Sequence, residues 1–398
     1  MNVERFASVL TMAELDTREK RLDPFPIFKQ LRQTTPIRFD QTRNCWDVFR
    51  YEDVHSILKD PSVFSSKRAV AAQERESILT MDPPRHNQMR SLVNKAFTPK
   101  MINDLTPEIT SITLELLEKV KNNGRMDLVK DFAVPLPVIV IAELLGVPVQ
   151  DRHLFKEWSD ILVKGPEANI DEAWNQMMQE KERAIKEMEV YFTDIIQLRR
   201  NEAKEDLISI LLAAEIDGKK LTGFEVISFS VLLLAAGNET TTNLITNAVR
   251  RLTEDALLQK QLQEQTVLLP NFIEEVLRFY PPISAIGRIA TKDVSIGGYQ
   301  IKAGDQLVSW VASANRDENK FLKPEDFYID RQPNPHLSFG FGIHFCLGAP
   351  LARLEAQIAL NILLQECKGI QLEHGAELTP IPSPFVFGVK QFPVTFIH

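Results

Sequence analysis

The chain has 398 residues, 44% of them hydrophobic and 25% charged, with a formal net charge of −8. That balance suits a globular protein with a substantial core. With no Lys/Arg-rich run to offset it, the negative charge argues against a nucleic-acid binder. Cys45, Cys346 and Cys367 are widely separated and form no CxxC, which excludes a disulfide framework or zinc ribbon and fits a reducing cytosol.

The first 21 residues hold no apolar stretch long enough for a signal peptide or anchor. The longest apolar runs, 132–147 and 226–237, fall short of the ~20 residues that span a bilayer. They are expected as buried core of a soluble, cytoplasmic protein. No repeat or flexible linker interrupts the chain, so a single domain over 1–398 is expected.

In chain order, "MDPPRHNQMRSLVNKAFTP" (81–99) comes first. Asp82 reads as an N-cap, with Pro83 and Pro84 in the first helical turn. His86 and Arg90, four apart, share a face and both can donate to an anion; a basic solvated face gives the same pattern. Helical periodicity dominates from about 100 to 280. "TPEITSITLELLEKVKNNG" predicts a helix stopped by Gly, and 180–215 one or two more.

In "LTGFEVISFSVLLLAAGNETTTNLITNAVRRL" (221–252), Thr222 and Glu225 form a capping box. The helix predicted from it runs ~30 residues, or ~45 Å. Gly237, Glu239 and Thr240 interrupt its apolar run. Gly permits a bulge or a ligand's approach, and a carboxyl beside a hydroxyl can relay protons; an exposed polar turn is the alternative. In "FIEEVLRFYPP" (272–282), Glu275 and Arg278 share a helical face, as many surface pairs do. Between 283 and 312 and at the C-terminus, short alternating segments split by Gly predict small antiparallel strands.

"SFGFGIHFCLGAPLARLEAQIAL" (338–360) surrounds Cys346 with glycines at the mouth of a helix. It matches no phosphate-loop pattern, and a zinc site would lack a second Cys/His pair. A thiol placed there meets helix-terminal N–H groups that favour thiolate, and backbone N–H groups around a thiolate suit an axial metal ligand. A buried Cys in a tight turn remains the alternative.

Together these stretches resemble the cytochrome P-450 family. The haem signature Phe-Gly-x-Gly-x-x-x-Cys-x-Gly is matched by Phe339, Gly340, Gly342, Cys346 and Gly348. The mid-helix Ala/Gly-Gly-x-Asp/Glu-Thr pattern is matched by Ala236, Gly237, Glu239 and Thr240, and Glu-x-x-Arg by Glu275 and Arg278. The texture is that of the soluble bacterial members, nearest family 109, whose members oxidise steroids, terpenoids and fatty acids. The resemblance implies a mainly α fold with small antiparallel sheets. Haem b (iron protoporphyrin IX) would lie between the long central helix and the helix after the cysteine loop.

By the same resemblance, Cys346 is the proximal thiolate on haem iron, and Ala236, Gly237, Phe339, Gly340 and Gly348 lie against the cofactor. His86, Arg90, Arg288, His336 and His344 are expected at the propionates. Glu239 and Thr240 deliver protons to iron-bound dioxygen, and Glu275, Arg278 and Arg331 form a structural ion-pair cluster. Leu233, Ala236, Ile283 to Ile286, Phe385, Val386 and the stretch 67–80 face the substrate. The activity implied is hydroxylation of a lipophilic molecule with O2, using electrons from NAD(P)H through a separate ferredoxin or flavodoxin and its reductase. Arg85, Lys95, Lys100 and Arg353 are expected as a basic docking patch. The alternatives are a peroxide-driven peroxygenase, an isomerase of oxygenated lipids, or a non-catalytic haem-based lipid or gas binder.

Overall fold

The computed structural model describes residues 11–67, 77–163, 171–216 and 218–397. One 31-residue helix, Gly223–Thr253, runs through the molecule. The Thr222 hydroxyl accepts from the Glu225 N–H while the Glu225 carboxylate accepts from the Thr222 N–H, the predicted capping box. Its buried residues change character along its length, from Val226, Ile227 and Phe229 to Thr241, Thr242, Asn243, Thr246 and Asn247. Around it pack Pro135–Leu144, Arg152–Val163, Asp171–Asn201, Leu269–Phe279 and Ala349–Glu366.

The helix continues unbroken through Gly237, so the glycine makes no bulge. Its use is packing: a Cβ there would sit 3.2 Å from Ile141 Cδ1, and without one the helix Pro135–Leu144 can lie close. That neighbour is apolar on nearly every side because it is enclosed by other helices, which accounts for the long apolar run seen in the sequence.

The strands form a separate layer. The largest sheet has the order Ile37–Asp40, Cys45–Val48, Gln306–Ser309, Ile286–Ala290, Phe64–Ser65. Gln306–Ser309 pairs antiparallel with Ile286–Ala290 but parallel with Cys45–Val48. The sheet is therefore not wholly antiparallel: two strands far apart in sequence meet side by side, which local alternation does not encode. A second sheet joins Lys368–Leu372, Pro393–Ile397 and Arg125–Asp127. The segment before Pro393 contributes only the isolated bridges Ile283–Val386 and Pro380–Val389.

The expected N-cap at Asp82 is corrected. The helix starts at Arg85, with Pro84 at the cap position and no side-chain cap. The Asp82 carboxylate instead accepts hydrogen bonds from the Ser65 hydroxyl and, at 2.9 Å, from the Ser66 N–H. It ties the helix to the sheet edge, a long-range role that outcompetes local capping. No described helix is long and apolar enough to cross a membrane.

Candidate haem-thiolate site

Cys346 sits in the loop between the turn Gly342–His344 and the helix Ala349–Glu366. Gly340 and Gly342 have φ of +71° and +72°, a region side chains other than glycine's disfavour. A Cβ on Gly342 would also meet the Leu58 carbonyl at 2.8 Å. The loop thus folds tightly against the end of Tyr51–Lys59, and the Cys346 N–H donates to the Phe339 carbonyl at 2.9 Å.

Cys45 and Cys367 are fully buried, and burial pushes both thiols up to about 12. Cys346 alone is open on one side. Burial of its remaining surroundings pushes its thiol up, while the N–H of Gly348, Arg90, the N–H of Ala349 and Arg353 pull it back toward thiolate. These are the helix-start N–H groups expected from the sequence. Among the described residues no three His, Cys, Asp or Glu side chains are placed to hold a metal ion.

The proposed anion-binding residues divide. His86 and His344 come together from distant segments, their rings 4.2 Å apart, and each has a buried Nε2 with no hydrogen-bond partner. Burial first, then Arg288 and His86, pull His344 down to about 3, which keeps its ring neutral. Arg288 is itself buried on the strand Ile286–Ala290. Two orphaned ring nitrogens beside a guanidinium form a donor set suited to carboxylates, so these residues fit the propionates of a haem. Arg90 donates to the carbonyl of Phe345, at 2.8 Å, and so borders the cysteine loop.

His336 is a correction. Its Nε2 lies 3.1 Å from Glu274 Oε2, and its Nδ1 accepts from the Ser338 N–H at 3.3 Å. Both ring nitrogens are already engaged, one by Glu274 and one by the Ser338 N–H, so neither is left for a propionate. Glu274 also receives two bonds from Arg353, of 2.6 and 2.9 Å. Of the expected docking patch, then, Arg353 is neutralised by Glu274 and Arg85 by Glu225, while Lys95 donates to the Glu215 carbonyl.

On the central helix the Thr240 hydroxyl donates back to the Ala236 carbonyl at 2.8 Å, a local bond an incoming partner can replace. Ala236 is exposed, and Leu233, Gly237, Glu239 and Thr240 are half-buried, lining one face. Burial raises the Glu239 carboxyl to about 7, against the pull of Lys181. Lys181, on the helix Asp171–Asn201, had no local signal in the sequence. It is pulled down by burial and held up by Glu239.

Behind the cysteine loop, Glu275 and Arg278 are fully buried and joined by bonds of 2.7 and 2.8 Å. Arg331 donates to both Glu275 oxygens at 3.1 Å, and the Tyr328 N–H and Asn334 amide complete the shell. Arg278 also donates to the carbonyls of Asn315, Pro324 and Asp326. Every lone pair and donor is engaged, the condition under which a buried pair is tolerated.

Of the expected substrate contacts, Ile283 and Val386 are brought together by their bridge, and Ser284 donates to the Phe385 carbonyl at 2.7 Å. Ile286 approaches the cysteine loop, its Cδ1 being 3.9 Å from where a Gly340 Cβ would lie. Phe385 packs against the aromatic cluster of Phe25, Tyr280 and Phe387. Residues 68–76 of the expected 67–80 contact region lie outside the described residues.

A glycine-bracketed thiol at a helix start and paired imidazoles with orphaned nitrogens are a residue set that fits a haem. The cytochrome P450 family model matches residues 14–396. Cytochrome P450 109 of Bacillus spizizenii is 54% identical over 392 residues, covering 98% of this chain and 96% of that one. The substrate-free structure of CYP109E1 from Bacillus megaterium superposes with a TM-score of 0.91 at 45% identity, covering 95% of this chain and 100% of that one. The complex of CYP109E1 with corticosterone gives 0.89, at 45% identity with 95% and 99% covered. The chain belongs to the cytochrome P450 family, whose members carry haem, and it is a monooxygenase.

Proposed function

We propose that this monooxygenase hydroxylates a lipophilic small molecule of steroid-like size, with Cys346 as axial ligand of haem b. The carrying observation is the pairing of His86 and His344, each with an orphaned ring nitrogen, close enough to Arg288 for its charge to act on His344. When bound, haem supplies the iron at which O2 is reduced and one oxygen atom is passed to the substrate. His86, His344 and Arg288 would hold its propionates.

The chain's own part is charge and proton management. The N–H groups of Gly348 and Ala349, with Arg90 and Arg353, favour Cys346 as thiolate. Glu239, with its carboxyl titrating near 7, takes protons from solvent at neutral pH and offers them beside the Thr240 hydroxyl. The Thr240 hydroxyl, which donates to the Ala236 carbonyl, would orient a water once that local bond opens. The exposed Ala236 and half-buried Leu233, Ile283 and Ile286 give the substrate an apolar wall.

Steroids are the substrate class to test first, because the similar CYP109E1 has been crystallised with corticosterone and with testosterone. Electrons from NAD(P)H would arrive through a separate ferredoxin or flavodoxin and its reductase. A peroxide-driven peroxygenase or a non-catalytic binder has no need of a carboxyl tuned to 7, which favours the oxygen-reducing reading. The test is a substrate difference-spectrum screen over steroids, fatty acids and terpenoids, followed by turnover with surrogate redox partners. The reading predicts NAD(P)H-dependent hydroxylation of at least one binder. Turnover with peroxide alone, or binding without oxidation, would contradict it.

A further inference from the structure

The neighbourhood of Phe339 contains more than the signature requires. Its ring lies under the Arg353 guanidinium, 4.5 Å from the ring centroid. Its carbonyl accepts the Cys346 N–H at 2.9 Å. Arg353 in turn cannot swing freely, because Glu274 grips it through two parallel bonds of 2.6 and 2.9 Å. Glu274 is also met by His336, and the Ser338 N–H donates to that same imidazole. Residues 336 to 339 are therefore fastened at both ends of one ionic cluster.

Glu274 adjoins Glu275 in the helix Leu269–Phe279, so the cluster is anchored to the buried Glu275–Arg278 pair. Although burial opposes it, the bonds from Arg353 and His336 hold the Glu274 carboxyl at about 2. The carboxylate therefore stays ionised, and able to grip Arg353, at neutral pH.

We propose that Arg353, fixed by Glu274, is a positioning residue that clamps the Phe339 ring and so holds the Cys346 loop in the geometry that ligates iron. This rests on the reading of Cys346 as haem ligand. The clamp depends on shape as well as charge: a planar guanidinium can bind a carboxylate with two parallel bonds and lie flat on a ring at once. A lysine ammonium cannot. The arrangement also pairs Arg353, a partly exposed side chain, with Glu274, so it is not a lone basic group on a docking surface.

The test uses the holoenzyme with Arg353→Met, Arg353→Lys and Glu274→Gln, and repeats Arg353→Met in a Phe339→Leu background. Two quantities are followed. One is the rate at which the reduced CO complex loses its thiolate spectrum; the other is hydrogen exchange at the Cys346 amide. All three single variants are expected to accelerate both by about fivefold, within the range a cation–π contact supplies. In the Phe339→Leu background, Arg353→Met adds less than about twofold, because the ring through which it acts is gone.

If Arg353→Lys behaves as wild type, charge alone suffices and the clamp is wrong. If Arg353→Met has its full effect without the Phe339 ring, Arg353 does not act through that ring, and the proposal falls. If the wild type itself shows no thiolate spectrum, it is the ligand assignment that fails. Cys346 amide exchange still judges the clamp in that case.

Discussion

The imidazoles of His86 and His344 face each other at 4.2 Å, and each ends in a buried Nε2 that no protein atom satisfies. They come from helix Arg85–Ala96 and from the cysteine loop, so the pair exists only in the folded chain. A buried polar atom without a partner costs stability, and an anion placed there recovers it. Replacing either ring by Leu should speed haem loss to an acceptor apoprotein by roughly tenfold, as expected for one hydrogen bond to a charged group. The double replacement should cost more than either single one. Unchanged haem-loss rates would remove these residues from the cofactor site.

Glu239 carries the pH dependence. Its carboxyl holds a proton up to about 7 in the folded protein, against an ordinary value of 4.5. Between those values the unfolded chain binds fewer protons than the folded one, so this group's contribution to stability falls as pH rises through the window. Glu239→Gln should abolish that decline, as melting curves across the window would reveal. In turnover, product formed per NAD(P)H should fall at least tenfold in Glu239→Gln, with the inflection near 7 lost. Lys181 opposes the upward shift, so Lys181→Met should move the wild-type inflection to higher pH. An inflection unmoved by Lys181→Met would mean that Glu239 is not the titrating group.

The Glu275–Arg278 pair predicts a stability phenotype. Both side chains have no exposed surface, so Arg278→Ala strands a buried carboxylate that Arg331 satisfies only in part. Breaking such a pair costs about 3–5 kcal/mol. Denaturant titration of Arg278→Ala should show a loss of that size, or no folded protein at all. A loss below about 1 kcal/mol would be incompatible with the buried network.

The sequence carried these elements unevenly. The capping box of Thr222 and Glu225 marked the start of the central helix because both partners lie within one turn. The Glu275–Arg278 spacing was equally visible, but nothing local distinguished a fully buried pair from a solvated one. Lys181 and Glu274 were invisible as site residues, since their partners lie on other elements. Asp82 and His336 misled for the same reason: each looks like a local cap or an anion ligand, yet each is claimed by a residue distant in sequence. The parallel pairing of Gln306–Ser309 with Cys45–Val48 likewise depends on the global arrangement of the chain.

Gly342 tests the tightness of the cysteine loop. Gly304 shares a positive φ, of +91°, yet a Cβ there would meet nothing within 4 Å, whereas at Gly342 it would meet the Leu58 carbonyl at 2.8 Å. Both Ala substitutions should incur the left-handed backbone cost of about 1–2 kcal/mol. Gly342→Ala should lose at least about 1 kcal/mol more through the clash. Equal losses in denaturant titration would show that the loop has room to move.

The central claim is that Cys346 is the thiolate ligand of a haem. The most direct measurement is the reduced CO difference spectrum of purified wild type and of Cys346→Ala, each expressed with haem supplied. The wild type is predicted to show the long-wavelength Soret band from which the family takes its name, and Cys346→Ala to lack it. A wild type without that band, or a Cys346→Ala protein that retains it, would contradict the assignment.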